Sequence, residues 1–285
     1  MTKTQTVDFN KLDDIPMMPV VVTKAIQVIN DPRSGAKDLT DLIINDQILA
    51  ARLLKVANSA YYGLPNKINN LNRAITLIGF NEITRMIAPI ILLDTFKSLQ
   101  RNDYFSSTNF WVHSLAVAGA CEILVEKINK PLDIGEARVV GLLHDIGRMI
   151  MVEIAPVEFE KAMRIVQRGG NILDAESAIL GQNHAEVGAL VTEKWNLPES
   201  ITNIIKYHHN SDNAPADSYL AEVVSVADYL ANHLQMRSLV VGEPIEIPRH
   251  IKEKYIHDEE DFDILLTRLE TEVEKAKTML SMIKD

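Results

Sequence analysis

Apolar residues recur along this chain three and four positions apart, and strict alternation is almost absent. Such spacing gathers apolar side chains on one helix face, whereas a period of two would mark a half-buried strand. Asn-Gly and Asp-Gly, the pairs that most often close a hairpin, do not occur. The predicted fold class is all-α. After a stiff lead-in from Pro16 to Pro19, Val22, Ala25, Ile26 and Ile29 form one helical face ending at Asn30-Asp31-Pro32. A short helix is expected over Asp38 to Ile44. Another starts near Asp46 and carries Leu49, Leu53, Val56 and Ala57. Leu71 to Ile78 is closed by Gly79, and a longer helix runs from about Glu82 to Leu99.

The polar stretch Arg101 to Thr108 is the candidate boundary, giving an N-terminal subdomain 1–104 and a helical domain 105–285. The second half opens with a helix from about Asn109 to Lys127. The helix carrying His144 begins near Asp133 or Gly135 and ends near Gly147. Ala155 to Gln167 is stopped by Gly169-Gly170, and Asp174 to Leu180 by Gly181. Asn183 followed by Glu186 is a capping-box signature that makes His184 the first helical residue. Pro198 suits the first turn of a helix leading to His208 and His209. The stripe of Asp217 to Gln235 includes Asp228, and a Pro-punctuated loop, Glu243 to Pro248, follows. Glu259 to Ile283 is a final amphipathic helix, acidic at its start and rich in lysine at its end.

Composition narrows the classes of function. The 285 residues are 47% hydrophobic and 24% charged, as in an ordinary soluble globular protein with a full core. The formal net charge of −10 argues against sequence-independent binding to nucleic acid phosphates. A helix-turn-helix reading would need Gln47 to Ser59 as its recognition helix, where Arg52 and Lys55 are the only cations and Asp38, Asp41 and Asp46 crowd the same region. No nucleic acid partner is expected. The single cysteine, Cys121, lies in an apolar helical pattern and excludes an internal disulfide. Met1 to Leu12 is polar, and the longest strongly apolar run, Met86 to Leu93, is too short to span a bilayer. The expectation is a cytoplasmic protein without a membrane partner.

The chemistry concentrates around Gly141-Leu142-Leu143-His144-Asp145-Ile146-Gly147-Arg148, where an imidazole and a carboxylate stand together in an apolar run. Burying such groups unpaired is expensive, and both are good ligands for a divalent metal. His113 lies on the apolar side of its helix, and Asp228 points the same way as Val224 and Ala231. With His184, His208 and His209 they make five histidines and two aspartates, nearly all on apolar faces. Each has a bland reading as a capping group or a satisfied core residue. Seven together favour one site between helices, an arrangement helical bundles commonly use for metals.

Residues 109–230 resemble the HD superfamily of helical metal-dependent phosphohydrolases, whose motif is a His, an adjacent His-Asp and a distant Asp. Here it falls on His113, His144-Asp145 and Asp228. The additional histidines of the two-metal HD-GYP cyclic di-GMP phosphodiesterases are matched by His184, His208 and His209. The N-terminal half is similar to the HDOD (HD-related output domain) branch. The marks are Leu12 with Pro16 to Pro19, Asn45-Asp46-Gln47-Ile48-Leu49, Asn58-Ser59-Ala60-Tyr61-Tyr62-Gly63 and Ala74-Ile75-Thr76-Leu77-Ile78-Gly79.

The resemblance implies one or two divalent transition metal ions (Fe, Mn or Zn) on His113, His144, Asp145, His184, His208, His209 and Asp228. Yet the Gly-Tyr-Pro signature is replaced by Asn210-Ser211-Asp212-Asn213-Ala214-Pro215, and an acidic position before the first His by Asn109. Arg148 stands where the family has lysine and is spaced to reach Asp145 as an ion pair. HDOD proteins resemble bacterial signalling modules in which catalysis is undemonstrated or lost. The expected function is therefore a regulatory output module acting through a protein partner or a bound ligand, with a nucleotide-type molecule the ligand to consider. The alternative is a metal-dependent phosphohydrolase or phosphodiesterase acting on a nucleotide or cyclic dinucleotide.

Overall fold

The computed structural model describes residues 7, 9, 20–30, 33–44, 46–59, 62–96, 103–128, 133–215, 219–242 and 246–284. Leu12, Pro16 to Pro19, Asp31, Pro32, Asn45, Ala60, Tyr61, Leu99, Arg101, Asp217 and Glu243 lie outside that set, as do the side chains of Ile26, Ile29 and Ile283. The described residues form α-helices joined by turns, with one isolated antiparallel bridge between Phe105 and Leu239. The fold is all-α.

The chain divides into two units, Met18–Ser98 with Val273–Asp285, and Leu99–Glu272 with Met1–Met17. The first holds α1 (Val20–Asn30), α2 (Ala36–Ile44), α3 (Gln47–Ala57), α4 (Leu71–Ile78) and α5 (Phe80–Thr95). α5 is its centre and packs against α1, α3 and α4. Leu39, Ile43, Leu53, Ile83 and Ile87 are fully enclosed there. Asp46 starts α3 by accepting from the amides of Ile48 and Leu49 at 3.1 and 3.0 Å, which answers two donors a helix start leaves unpaired. Between α4 and α5 the chain bends by 119°. Gly79, at φ +102°, makes that bend in a region that side chains with a Cβ avoid.

The second unit holds α6 (Ser107–Ile128), α7 (Ile134–Leu143), α8 (Ile146–Ile154), α9 (Pro156–Gln167), α10 (Ile172–Leu180), α11 (His184–Lys194), α12 (Glu199–Tyr207), α13 (Leu220–His233), α14 (Arg249–Tyr255) and the first part of α15 (Glu259–Lys284). The sequence assigned all of the last helix to the second half; its residues up to Glu272 group there, and those from Val273 group with the first unit. α6 packs against α7 and α13. By length and composition α6 could cross a membrane, but 83% of its apolar window is buried in the protein. Gly141 brings α7 so near α6 that a Cβ there would stand 2.8 Å from the Ala118 Cα. The Asn183–Glu186 capping box is present and makes His184 the first residue of α11.

Candidate metal centre

The His144-Asp145 pair does not lie within one helix that ends near Gly147. α7 stops at Leu143, His144 closes it, and Asp145 opens α8. Gly147 is inside α8 and is needed for a crossing rather than a stop. A Cβ at that position would stand 2.0 Å from the His184 carbonyl oxygen and 2.7 Å from the Gly188 nitrogen. The glycine thus lets α8 approach the start of α11 closely. Asp145 makes no side-chain cap to α8; its carboxylate faces the histidines instead.

Four buried histidines share one hydrogen-bonding scheme. Nδ1 of His113 faces the Met236 carbonyl at 2.6 Å, that of His144 the Gly141 carbonyl at 2.8 Å, and that of His208 the Ile205 carbonyl at 2.6 Å. Nδ1 of His184 faces Glu176 Oε2 at 2.6 Å. Those partners only accept, so each Nδ1 carries the proton and each neutral ring keeps its lone pair on Nε2. Metal-binding histidines are commonly held this way by a carbonyl or carboxylate behind them. The Met236 carbonyl is positioned by the end of α13, where Gln235 takes φ +59° and the Met236 amide donates to Ala231 O at 3.0 Å.

The Nε2 atoms converge on Asp145, whose two oxygens face two groups. On one side, His113 Nε2 and His144 Nε2 are 3.2 Å apart and lie 3.6 and 3.5 Å from Asp145 Oδ2. On the other, His184 Nε2 and His208 Nε2 lie 3.3 and 3.9 Å from Asp145 Oδ1, and His209 Nε2 is 2.9 Å from His184 Nε2. Asp228 Oδ1 lies 3.2 Å from His113 Nε2 and 3.9 Å from His144 Nε2, at the edge of the first group. Atoms bound to one ion at about 2.0–2.2 Å stand no more than about 4.4 Å apart. The spacings fit. Asp145 Oδ1 and His208 Nε2 are also buried without a hydrogen-bond partner, which a metal would relieve. These buried His/Asp groups could hold metal.

Burial opposes ionisation of Asp145, yet Arg148 and the surrounding histidines hold it well below the usual carboxylate range. Burial opposes ionisation of Asp228 too, but the hydrogen bond from His113 and the charges of His113 and His144 together lower it. Burial alone would lower His113, but the hydrogen bond and charges of Asp228 and Asp145 raise it. Burial lowers His144 despite the pull of Asp145. Burial and the neighbouring His144 and His184 push His208 down to about 3, and burial with His208 pushes His209 down strongly.

Residues 15–211 match the HDOD domain. The chain belongs to the HDOD family. Its similarity to an uncharacterised protein of Treponema pallidum (strain Nichols) is 28% identity over 253 residues, 85% of this chain and 46% of that protein. The chain thus spans less than half the length of that curated relative. An HDOD domain protein of unknown function from Geobacter sulfurreducens superposes with a TM-score of 0.77 at 23% identity, covering 95% of this chain and 94% of that one. A candidate signal-transduction protein from Marinobacter aquaeolei VT8 gives 0.77 at 20% identity over 95% and 60% of the two chains. A candidate phosphohydrolase from Shewanella amazonensis SB2B gives 0.66 at 21% over 95% of each. At these identities the likeness is one of fold.

Three further groups complete the site of this HDOD protein. Arg148 Nη1 donates to Asp145 Oδ2 in a short ion pair and to Ser238 Oγ at 2.7 Å, while Nη2 faces His184 Nε2 at 3.1 Å. Ser238 Oγ donates to Asp145 Oδ2 at 3.0 Å. Glu176, fully buried, accepts from the His184 amide at 2.9 Å as well as from its ring. Glu176 lies four residues after Ile172 and four before Leu180, so the stripe argument that singled out Asp228 would have found it as well. Ser238 sits in a loop and carries no such signal. His209 is half-buried and, with His208, Ser225, Asp228, Asp212 and Glu246, lines a cavity of about 50 Å³.

Proposed function

We propose that this HDOD protein is a bacterial signal-transduction output module, cytoplasmic, that acts through a protein partner or a bound small ligand. In this reading it carries a transition metal ion without turning over substrate. The mixed imidazole and carboxylate set suits Fe, Mn or Zn better than Ca or Mg, which prefer all-oxygen shells. The observation carrying the reading is Arg148, whose guanidinium lies among the ligands and grips the carboxylate an active site would give to metal and substrate. The cavity beside the site adds support: its rim holds Asp212, Asp228 and Glu246, a poor surround for a phosphate. Lys206 is exposed and rests over its neighbour Tyr207 at 5.5 Å, as a solvated residue does.

A second reading, a metal-dependent phosphohydrolase, is favoured by the four inward lone pairs and the two-sided presentation of Asp145. A bound ion there would supply an activated water. His113, His144, His184 and His208 would hold that ion together with Asp145. The decisive experiment is elemental analysis of protein produced with ample iron and manganese, followed by hydrolysis assays on cyclic di-GMP and common nucleotides. We expect bound metal, most of it lost in His144→Ala and Asp145→Ala, and no turnover. Metal-dependent hydrolysis that vanishes in His144→Ala would put the enzyme first. Sub-stoichiometric metal under all these conditions would remove the metal from both readings.

A further inference from the structure

The cavity of about 50 Å³ that His208 and His209 line lies within a single unit of the chain. At roughly 10–15 Å³ for each water it has room for about four, which is also the heavy-atom count of a guanidinium head. Its lining holds three carboxylates, Asp212, Asp228 and Glu246, and neither lysine nor arginine. Asp228, 8% exposed, spends Oδ1 on Asn232 Nδ2 at 2.7 Å and His113 Nε2 at 3.2 Å, and its Oδ2 takes no hydrogen bond from a described residue. The Nε2 of His208 is likewise buried without a donor. Asp212 Oδ1 meets the exposed His250 at 2.9 Å, which leaves its second oxygen. Burying an acceptor that no donor reaches is costly. The lining is therefore a built set of acceptors rather than a solvated acidic face.

We infer that this cavity receives a guanidinium group, carried by an arginine of a protein partner or by a small free guanidinium compound. The inference rests on the partner- or ligand-driven reading above and names the chemistry of what is bound. A bare metal ion suits the cavity poorly. Among the described residues, two sets bring three or more ligand atoms within 4.8 Å of one another, and Asp212 and Glu246 belong to neither. An ion needs its ligands at about 2.0–2.6 Å. A guanidinium instead presents its N–H donors in a planar fork and reaches acceptors that stand farther apart. An ammonium is a compact, strongly hydrated point charge. Ile247 and Pro248 give the cavity an apolar wall, which suits a flat and weakly hydrated cation better.

The test is calorimetric titration of the full chain with methylguanidinium and with a short peptide containing a single arginine. The chain is equilibrated with Zn²⁺, a diamagnetic ion that keeps the His209 ring visible by NMR. Both probes are expected to saturate and to shift the His209 ring signals. The same peptide with citrulline, neutral but of like shape, is expected to bind roughly tenfold more weakly. Asp212→Asn and Glu246→Gln, both on exposed side chains whose loss leaves the core untouched, are each expected to weaken methylguanidinium about fivefold. A peptide that binds more tightly than methylguanidinium assigns the cavity to a protein partner, and equal binding assigns it to a free small cation. No binding of either probe, equal binding of the citrulline peptide, or unchanged affinity in both variants would each overturn the inference. Hydrolysis of nucleotides would instead overturn the reading on which it rests, whatever the guanidinium probes do.

Discussion

In the unit Met18–Ser98 with Val273–Asp285, the buried side chains among the described residues are apolar except Thr40 and Thr84. Among the described residues the other unit buries thirteen that are polar or charged, including His113, Asp145, Arg148, Glu176 and His208. Each apolar side chain enclosed in the first contributes roughly 1.5–3 kcal/mol through removal from water. Each ion enclosed in the second costs several kcal/mol before its partners offset the loss. A core assembled for stability looks like the first. The second gives up stability to hold lone pairs and carboxylates in fixed positions, which is what a site requires.

The largest expected effect exploits where the histidines are. All eight lie in Leu99–Glu272, as do both tryptophans, Trp111 and Trp195. His144, His208 and His209 have folded-state values below the ordinary one, about 3 for His208. Below pH 6.5 the unfolded chain therefore binds more protons at these positions than the folded one; for His208 stability falls at about 1.4 kcal/mol per pH unit, and His144 and His209 act in the same direction. His113 is raised, so its contribution is fully present below pH 6.5 and is lost only as pH rises through its folded value. Asp145 and Asp228 are lowered, so theirs is lost only as pH falls below about 4. Between pH 6.5 and 4.5 the metal-free protein should lose several kcal/mol in the unfolding transition seen by tryptophan fluorescence. A tryptophan midpoint in urea that does not move across this range would break the comparison.

A smaller effect comes from placing one methyl group in each unit. Gly147→Ala would drive its Cβ into the His184 carbonyl and the Gly188 nitrogen, both backbone atoms that cannot swing aside. The expected loss is more than about 3 kcal/mol. Gly35→Ala meets nothing within 4 Å and should change stability by less than about 1 kcal/mol. Equal, small effects of the two in urea unfolding would mean that α8 and α11 do not cross at Gly147.

Much of this was legible beforehand because it is local. Asn183 with Glu186 announced the start of α11, Gly79 and Gly181 the ends of α4 and α10, and the three-residue spacing the Arg148–Asp145 pair. The break between His144 and Asp145 was not, because it is decided by how near α8 comes to α11, and a glycine reads equally well as a stop. Glu176 was available to the same stripe argument that found Asp228. The carbonyls of Met236, Gly141 and Ile205 that fix the ring tautomers could not be read, since every residue has a carbonyl and only packing selects which one faces a histidine.

The smallest effect tests the apolar unit at a polar junction. Asn58 closes α3, and its Nδ2 donates to Leu54 O at 2.8 Å and Ile68 O at 2.7 Å, while its Oδ1 accepts from the Ile68 amide at 2.6 Å. One side chain thereby satisfies both backbone groups of a residue buried to 3% exposure. Asn58→Ala leaves those groups unpaired and should cost about 1–3 kcal/mol. Asn58→Asp keeps the acceptor but sets a charge against two carbonyls, so it should cost at least as much. Neither should alter manganese uptake, because the ligands lie in the other unit. If Asn58→Ala were neutral in urea unfolding, or if it removed bound manganese, the division between a core that supplies stability and a core that supplies ligands would fail at this residue.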